Sequence, residues 1–154
     1  MRPSGINLRN ATRADARLLF DWVNAPDSLA QKEHTAGPIP WQAHCAWLER
    51  KIDDPATTLV IIERAGAAVG QVRLEPHGAV HAIDIYVAPA ARGRGIARAA
   101  LLAALERAAV GAAVARVKAG NVASRGLFAA AGFSEEGREG EMVIYRLEKA
   151  VVHD

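Results

Sequence analysis

The residues Arg92-Gly93-Arg94-Gly95-Ile96-Ala97 lie between a predicted strand over residues 80–87 and a predicted helix over residues 96–110. Glycine at two positions of such a turn lets backbone amides face outward with no Cβ in the way. The start of the following helix adds the positive end of its dipole, so the turn can bind a pyrophosphate. The alternative interpretation is a tight strand-to-helix turn whose arginines are solvated.

Two well-known phosphate-binding loops do not fit this turn. A P-loop ends in Gly-Lys-Ser/Thr, which is absent, and a dinucleotide fingerprint requires Gly or Ala where Arg98 stands. The remaining pattern, Arg/Gln-x-x-Gly-x-Gly/Ala, is met by Arg92, Gly95 and Ala97. In these residues the sequence resembles the GNAT superfamily of coenzyme A-dependent N-acetyltransferases.

A second stretch extends this resemblance to about residues 80–133. The sequence Asn121-Val-Ala-Ser124-Arg-Gly-Leu-Phe128-Ala-Ala-Ala-Gly132-Phe133 is similar to the superfamily motif in which an Asn and a helix flank the pantetheine arm. The resemblance implies that acetyl-CoA is the co-substrate. Its candidate binding residues are Ile85, Tyr86, Val87, Arg92, Gly93, Arg94, Gly95, Ile96, Ala97, Asn121, Ser124 and Phe128.

The resemblance also implies a role for the backbone of the fourth strand. The fourth and fifth strands would splay apart, and backbone groups of residues 85–87 would pair with pantetheine as if it were an added strand. The Val87 amide would then polarise the acetyl carbonyl, on which negative charge develops during attack. This assigns Val87 a catalytic role.

Phe128 departs from the superfamily pattern, because many members carry a tyrosine there that protonates the departing thiolate. Phenylalanine has no proton to donate. A thiolate with a pKa of about 8.5 is a tolerable leaving group near neutral pH, so turnover does not require the acid. Water, Ser124 or Tyr86 could substitute, and the alternative interpretation places Phe128 in the core.

Asp84 and His81 are the candidates for the base that accepts the proton of the attacking amine. They are three positions apart and therefore point to opposite faces of a regular strand. His81 shares its face with the apolar Ile83, Ile85 and Val87, whereas Asp84 shares its face with Tyr86. Either side chain could instead be a satisfied structural group.

The N-terminal half carries a softer resemblance, to the superfamily branch that acts on nucleotide-linked 4-amino sugars in pseudaminic acid and surface polysaccharide synthesis. The matching stretches are Trp22-Val-Asn24, Ile39, His44-x-x-Trp47 and Gly70-Gln71-Val72-Arg73. His44 and Trp47 share one helix face, where the ring could stack on a sugar or base. The candidate acceptor-binding residues are His44, Trp47, Gln71, Arg73, Glu33 and His34.

Periodicity predicts the order β-α-α-β-β-β-α-β-α-β. The strands span residues 6–10, 58–64, 69–75, 80–87, 114–118 and 142–147. The helices run from a cap at Thr12 to about Asn24, from Pro40 to about Ile52, over residues 96–110 and over residues 124–131, with a loop over residues 27–39. This order indicates a mixed α/β (α+β) sheet, and the resemblance implies a GNAT-like, mostly antiparallel twisted sheet with helices on both faces.

Length and composition set the remaining expectations. The 154 residues suit a single acetyltransferase domain over residues 1–154, and a net charge of +2 gives too weak a field to argue for nucleic acid. One cysteine permits no internal disulfide, and neither a signal peptide nor a membrane span is recognisable. We therefore expect a cytoplasmic monomer or homodimer with no metal, no membrane and no nucleic-acid partner.

Three functions are compatible with these residues. The first is acetyl transfer from acetyl-CoA by direct attack of a primary amine of a small molecule, such as a nucleotide-linked 4-amino sugar. The second keeps this chemistry on a protein or peptide amine, as in ribosomal-protein acetylation. The third is a non-catalytic acyl-CoA sensor, which the phenylalanine at 128 and the ambiguous base make conceivable.

Overall fold

The computed structural model describes residues 5–32 and 37–148 as a mixed sheet with helices on both faces. The strands are β1 (Ile6–Asn10), β2 (Thr58–Arg64), β3 (Ala67–His77), β4 (Val80–Val87), β5 (Ala112–Lys118), β6 (Ser134–Glu139) and β7 (Met142–Glu148). The helices are α1 (Ala16–Val23), α2 (Pro26–Ala30), α3 (Trp41–Asp53), α4 (Ile96–Arg107) and α5 (Val122–Ala130). Single 3-10 turns occupy Arg13–Asp15 and Pro89–Ala91.

The sheet has seven strands in the order β1-β2-β3-β4-β5-β7-β6. All neighbouring pairs are antiparallel except β4 and β5, which are parallel. Their parallel pairing covers only His81 with Ala113 and Ala82 with Val114. Beyond these positions the two strands separate, so the predicted fold class and the splayed fourth and fifth strands are confirmed.

The two faces of the sheet carry different layers because side chains alternate along each strand. On one face Val60, Val72 and the buried end of β4 at Val87 pack against the apolar residues of α4 and α5. On the other face Leu59 and Ile61 pack against α1 and α3 through Leu19 and Leu48. The polar residues of β3 and β4 lie on this second face, beneath α1 and α3.

The entry into α1 follows the predicted cap. The Thr12 side chain accepts a hydrogen bond from the backbone of Ala14, and the Asp15 carboxylate accepts one from the Thr12 amide at 2.8 Å. Arg9 donates to both oxygens of Asp15 at 2.8 Å, and this pair lowers the pKa of the carboxyl. A 3-10 turn therefore precedes α1 where the sequence predicts one continuous helix.

Two elements were not predicted. Residues 27–39 are predicted as a loop, but Pro26–Ala30 forms the short helix α2, with Pro26 at a first-turn position and Asp27 near the positive helix end. Strand β6 was missed because all six of its residues are exposed and show no apolar alternation. It is an edge strand that forms only by pairing with β7.

Candidate active site

A cavity of about 920 Å³ occupies the gap between β4 and β5 and extends beneath α1, α2 and α3. Its floor is the face of β3 and β4 that carries Gln71, Arg73 and Asp84. One wall is formed by the turn before α4 and by the start of α5. The cavity therefore joins the two groups of residues that the sequence assigns to cofactor and acceptor.

The edge of β4 that faces the gap carries unpaired backbone groups. Ala88 donates its amide to the Val69 carbonyl of β3 at 2.8 Å. Because the direction of backbone groups alternates along a strand, Val87 and Ile85 direct theirs toward β5. The pairing with β5 ends at Ala82, so the Val87 amide and both backbone groups of Ile85 open into the gap. They can pair with an extended ligand.

The turn before α4 has the backbone that the sequence predicts. Gly93 and Gly95 lie in the left-handed region, with φ of 78° and 74°, and Gly95 is the N-cap of α4. No atom lies within 4 Å of an added Cβ at either glycine, so the space over the turn is open. Ile96 is buried, whereas Arg94 and Arg98 are exposed and form no ion pair with the described residues. The turn fits a pyrophosphate.

Arg92 is directed elsewhere. Its Nε donates to the Val87 carbonyl at 2.8 Å, and its guanidinium forms an ion pair with Asp27 of α2. The Tyr86 hydroxyl is 3.4 Å from the same carboxylate, and the Arg92 guanidinium lies 5.4 Å from the centre of the Tyr86 ring. The side chain of Arg92 thus holds α2 against the end of β4, where the sequence predicts a contact with pyrophosphate.

The start of α5 lies on the opposite wall. The Asn121 side chain accepts a hydrogen bond from the Ser124 amide at 3.1 Å, and both residues line the cavity. Phe128 also lines the cavity, but it is only 3% exposed and packs against Phe133 and Tyr145, with ring centres 5.2 and 6.0 Å away. Phe128 is therefore a core residue at the cavity wall.

Asp84 lies at the centre of a charged group on the acceptor side. Gln71 donates from Nε2 to Asp84 Oδ2 at 2.8 Å, Lys32 Nζ lies 3.5 Å from Oδ1, and Arg73 lies 3.9 Å from Oδ2. Burial alone raises the pKa of the carboxyl, but Arg73, Lys32 and the hydrogen bond from Gln71 together lower it. Asp84 is therefore ionised near neutral pH.

Gln71 presents one unsatisfied polar atom to this site. The residue is 5% exposed and lines the cavity, and its buried Oε1 has no hydrogen-bond partner among the described residues. Since the Asp84 carboxylate accepts from Nε2, the amide orientation is fixed with Oε1 on the other side. Gln71 pairs with Tyr86 on β4, one residue before Val87. A ligand N–H or O–H could satisfy Oε1.

His44 and Trp47 line the cavity from α3, as their spacing predicts. Their rings stack with centres 5.6 Å apart, and the Arg73 guanidinium lies 5.0 Å from the Trp47 ring. His44 is 3% exposed, and its buried Nε2 has no hydrogen-bond partner within residues 5–32 and 37–148. Burial lowers the pKa of His44, while a hydrogen bond with the Ala16 backbone opposes this shift, so the ring is neutral.

One expected site residue, His81, lies apart from this group. His81 is half-buried at the closed end of the strands, paired with Ala113, and does not line the cavity. It lies about 20 Å along β4 from Val87, since a strand rises about 3.3 Å per residue. Glu33 and His34 fall outside the described residues. Residues 5–32 and 37–148 contain no group of three or more His, Cys, Asp or Glu that could hold a metal.

Sequence reasoning missed five charged residues of the cavity, namely Asp27, Lys32, Arg50, Arg116 and Lys118. Arg50 follows Trp47 by three positions, so helical spacing could have placed it beside Trp47. Arg50 is exposed and forms no ion pair with the part of the chain that the structure describes. Asp27 and Lys32 lie in the predicted loop, where no periodicity indicated their direction.

Comparison with known proteins gives a consistent assignment. The family model for the acetyltransferase (GNAT) domain matches residues 6–134. Ribosomal-protein-alanine N-acetyltransferase from Brucella melitensis is 26% identical, with a TM-score of 0.76 over 93% of this chain and 99% of that chain. No curated protein sequence matches the chain significantly.

Two further solved structures share the fold at lower identity. Spermidine N-acetyltransferase from Vibrio cholerae, in complex with CoA and spermine, is 21% identical, with a TM-score of 0.77 over 93% of this chain and 94% of that chain. A domain from Methanocaldococcus jannaschii is 23% identical, with a TM-score of 0.80 over 94% and 98%. Among the described residues, no helix has the length and apolar character needed to span a bilayer.

The match to the family model covers well over half of the sequence, including the turn before α4 and the start of α5. The open edge of β4, the left-handed glycines and the fold relatives agree with it. The chain therefore belongs to the GNAT family of acetyltransferases, and it is an acetyl-CoA-dependent N-acetyltransferase.

Proposed function

We propose that the acceptor is a small anionic molecule with a primary amine, and that a nucleotide-linked 4-amino sugar is its preferred class. One observation carries this proposal: among the described residues, seven lysines and arginines line the cavity, against two aspartates. Three of these cations, Lys32, Arg50 and Arg73, lie on the acceptor side rather than at the turn before α4. Cations at this position attract an anionic acceptor and repel a polycation.

The residues proposed to bind acetyl-CoA follow the open edge of β4. The amides of residues 93–97 bind the pyrophosphate with help from Arg94 and Arg98, and Ile85 pairs with the pantetheine arm. Asn121 and Ser124 flank the arm from α5. The bound co-substrate supplies an activated thioester, whose carbonyl oxygen the Val87 amide stabilises as negative charge develops there.

Gln71 is proposed to orient the amine. Its Oε1 is buried and unpartnered, and it lies beside the strand position next to Val87. An N–H of the acceptor amine can donate to this atom, which leaves the nitrogen lone pair free to attack. His44 Nε2, which is also buried and unpartnered, can accept from a hydroxyl of the acceptor.

The cations that line the cavity favour the neutral form of the bound amine, so its attack does not require a strong base. Nearby cations disfavour the ammonium form and so lower the pKa of a bound amine. Asp84, whose own pKa is lowered, is a weak base, and we propose that it orients Gln71, Arg73 and Lys32 instead. The proton then leaves through water.

The anion of the acceptor is proposed to bind Arg73 and Arg50. Arg73 lies opposite Asp84, three residues before Val87 on β4, so it is about 10 Å along the strand from the Val87 amide. An acceptor of this length would have its amine beside the Val87 amide and its phosphate at Arg73, with Gln71 between the two. Trp47, with Arg73 on its ring, supplies the adjoining apolar surface.

The test is to measure CoA release from acetyl-CoA when a UDP-linked 4-amino-4,6-dideoxy sugar is added, and to weigh the acceptor in the same reaction. We expect an acetylated sugar nucleotide, and a large rise in KM for it in the Arg50→Gln variant. Spermidine and a peptide with an N-terminal alanine serve as comparison acceptors. Faster turnover of spermidine would indicate a polyamine acceptor, and faster turnover of the peptide would indicate a protein acceptor. Either result would overturn the proposed anionic acceptor. Acetyl-CoA binding without turnover of any amine would favour the sensor.

A further inference from the structure

Helix α2 contacts both of the splayed strands. Asp27 at its start is paired with Arg92 and Tyr86, next to the end of β4, and the Ala30 carbonyl at its end accepts from Lys118 of β5 at 2.9 Å. The short β4–β5 pairing aligns His81 with Ala113. If this register is continued along both strands, Tyr86 of β4 lies at the same height as Lys118 of β5. Helix α2 thus contacts both strands at the same height and bridges the gap between them.

Arg92 connects this bridge to the turn before α4. Its main chain belongs to the turn, its Nε donates to the Val87 carbonyl at 2.8 Å, and its Nη2 contacts the Asp27 carboxylate. The Val87–Ala88 peptide is held on its other side by the 2.8 Å bond from the Ala88 amide to Val69. One guanidinium therefore fixes the cofactor turn, the end of β4 and the acceptor-side helix relative to each other.

From this geometry we propose that Arg92 and Asp27 are a pair of positioning residues. Through their ion pair, binding of acetyl-CoA at the turn makes helix α2 on the acceptor side more ordered. The proposal rests on the proposed binding of pyrophosphate by the turn before α4. Its chemical consequence is that the acceptor wall formed by α2 and Lys32 becomes more rigid when the co-substrate is bound. Arg94, which is exposed and unpaired with the described residues, has no such link.

The experiment is hydrogen–deuterium exchange of the full-length protein, with and without acetyl-CoA, read on peptides that cover residues 25–32. Acetyl-CoA should slow exchange of this segment about fivefold in the wild type. This is the factor in an equilibrium constant that corresponds to the strongest free-energy contributions of exposed ion pairs. Asp27→Asn should lose this acetyl-CoA-dependent protection. A merely structural role would raise exchange equally in both states.

Arg92→Lys separates positioning from phosphate binding. Lysine keeps the positive charge but lacks the fork that reaches Val87 and Asp27 together, so it should lose the protection as well. The double variant Asp27→Asn/Arg92→Lys should show no further loss, because the two residues act as one unit. The matched control is Arg94→Gln, which should weaken acetyl-CoA binding, measured by calorimetry, and retain full protection at saturation.

These results do not depend on the identity of the acceptor. Wild-type exchange over residues 25–32 that does not respond to acetyl-CoA would overturn the coupling. So would additive losses in the double variant, or an Arg92→Lys variant that retains the protection. Failure of the UDP-sugar to become acetylated would leave the exchange results intact, so the two proposals fail separately.

Discussion

Replacing Gly70 by alanine should damage catalysis more than any other single methyl group added to β3. A Cβ at Gly70 would lie 2.2 Å from the Tyr86 carbonyl oxygen and 3.1 Å from the Val87 Cα. A carbon–oxygen contact of about 3.3 Å is the closest that is comfortable, so the backbone must shift by about 1 Å. The Tyr86 carbonyl and the Val87 amide belong to one peptide group, so the proposed donor to the acetyl carbonyl moves with it.

A displacement of about 1 Å at a reacting group can cost about 10²-fold in rate, and overpacking costs about 1–3 kcal/mol of unfolding free energy. We expect Gly70→Ala to lower kcat for CoA release by about 10²-fold. The assay is thiol release at saturating acetyl-CoA with the UDP-linked amino sugar, together with thermal unfolding of each variant.

Gly126→Ala is the matched control. Gly126 lies in α5, is exposed, and has no atom within 4 Å of an added Cβ. Alanine should therefore stabilise the helix by up to about 1 kcal/mol, without an effect on kcat. If Gly70→Ala unfolds at a lower temperature but keeps the wild-type kcat, the position of the Val87 amide does not limit the reaction, and its proposed role is wrong.

Three further variants address the cofactor turn, the charge at Asp84 and the buried imidazole. Gly95→Glu, which adds a side chain and a negative charge at a left-handed position over the turn, should abolish acetyl-CoA binding in calorimetry; wild-type affinity would contradict the pyrophosphate site. Asp84→Asn should lower kcat/KM but keep the shape of its pH profile. If the variant instead loses one ionisation from the pH profile of kcat/KM, Asp84 is the base. Folding lowers the pKa of His44 from its ordinary value of 6.5, so its contribution to the unfolding free energy is fully present above that value and is lost as the pH falls below it toward the folded pKa. His44→Phe should flatten this pH dependence of the melting temperature.

Local signals predicted the glycine turn before α4, the cap at Thr12 and the faces of β3 and β4, because each one depends on neighbours in sequence. The two left-handed glycines lie at the turn where a strand meets a helix, and the cap at Thr12 is completed by Asp15 only three residues later. Alternation along β3 and β4 likewise predicted which residues share a face. These features follow from backbone geometry and side-chain spacing alone.

The acceptor side could not be predicted to the same depth, since its contacts join distant parts of the chain. Arg92 pairs with Asp27 across a separation of 65 residues, and the Gln71 side chain is buried only because α1 and α3 cover its face of the sheet. Alternation predicts a polar face for β3 but does not reveal whether solvent or a cavity lies above it. The ion pair of Arg92 with Asp27 could not be predicted for this reason.

The two-residue junction between β4 and β5 divides the sheet mechanically into a four-stranded and a three-stranded half. Backbone hydrogen bonds across this boundary are few, so the boundary depends on helix packing and on the contacts of α2 with both strands. A co-substrate that binds between the halves supplies contacts that the two strands do not make with each other. By mass action, acetyl-CoA at 100 times its Kd would add about 2.7 kcal/mol to the unfolding free energy. The resistance of the protein to heat and proteolysis would then follow the cellular supply of acetyl-CoA.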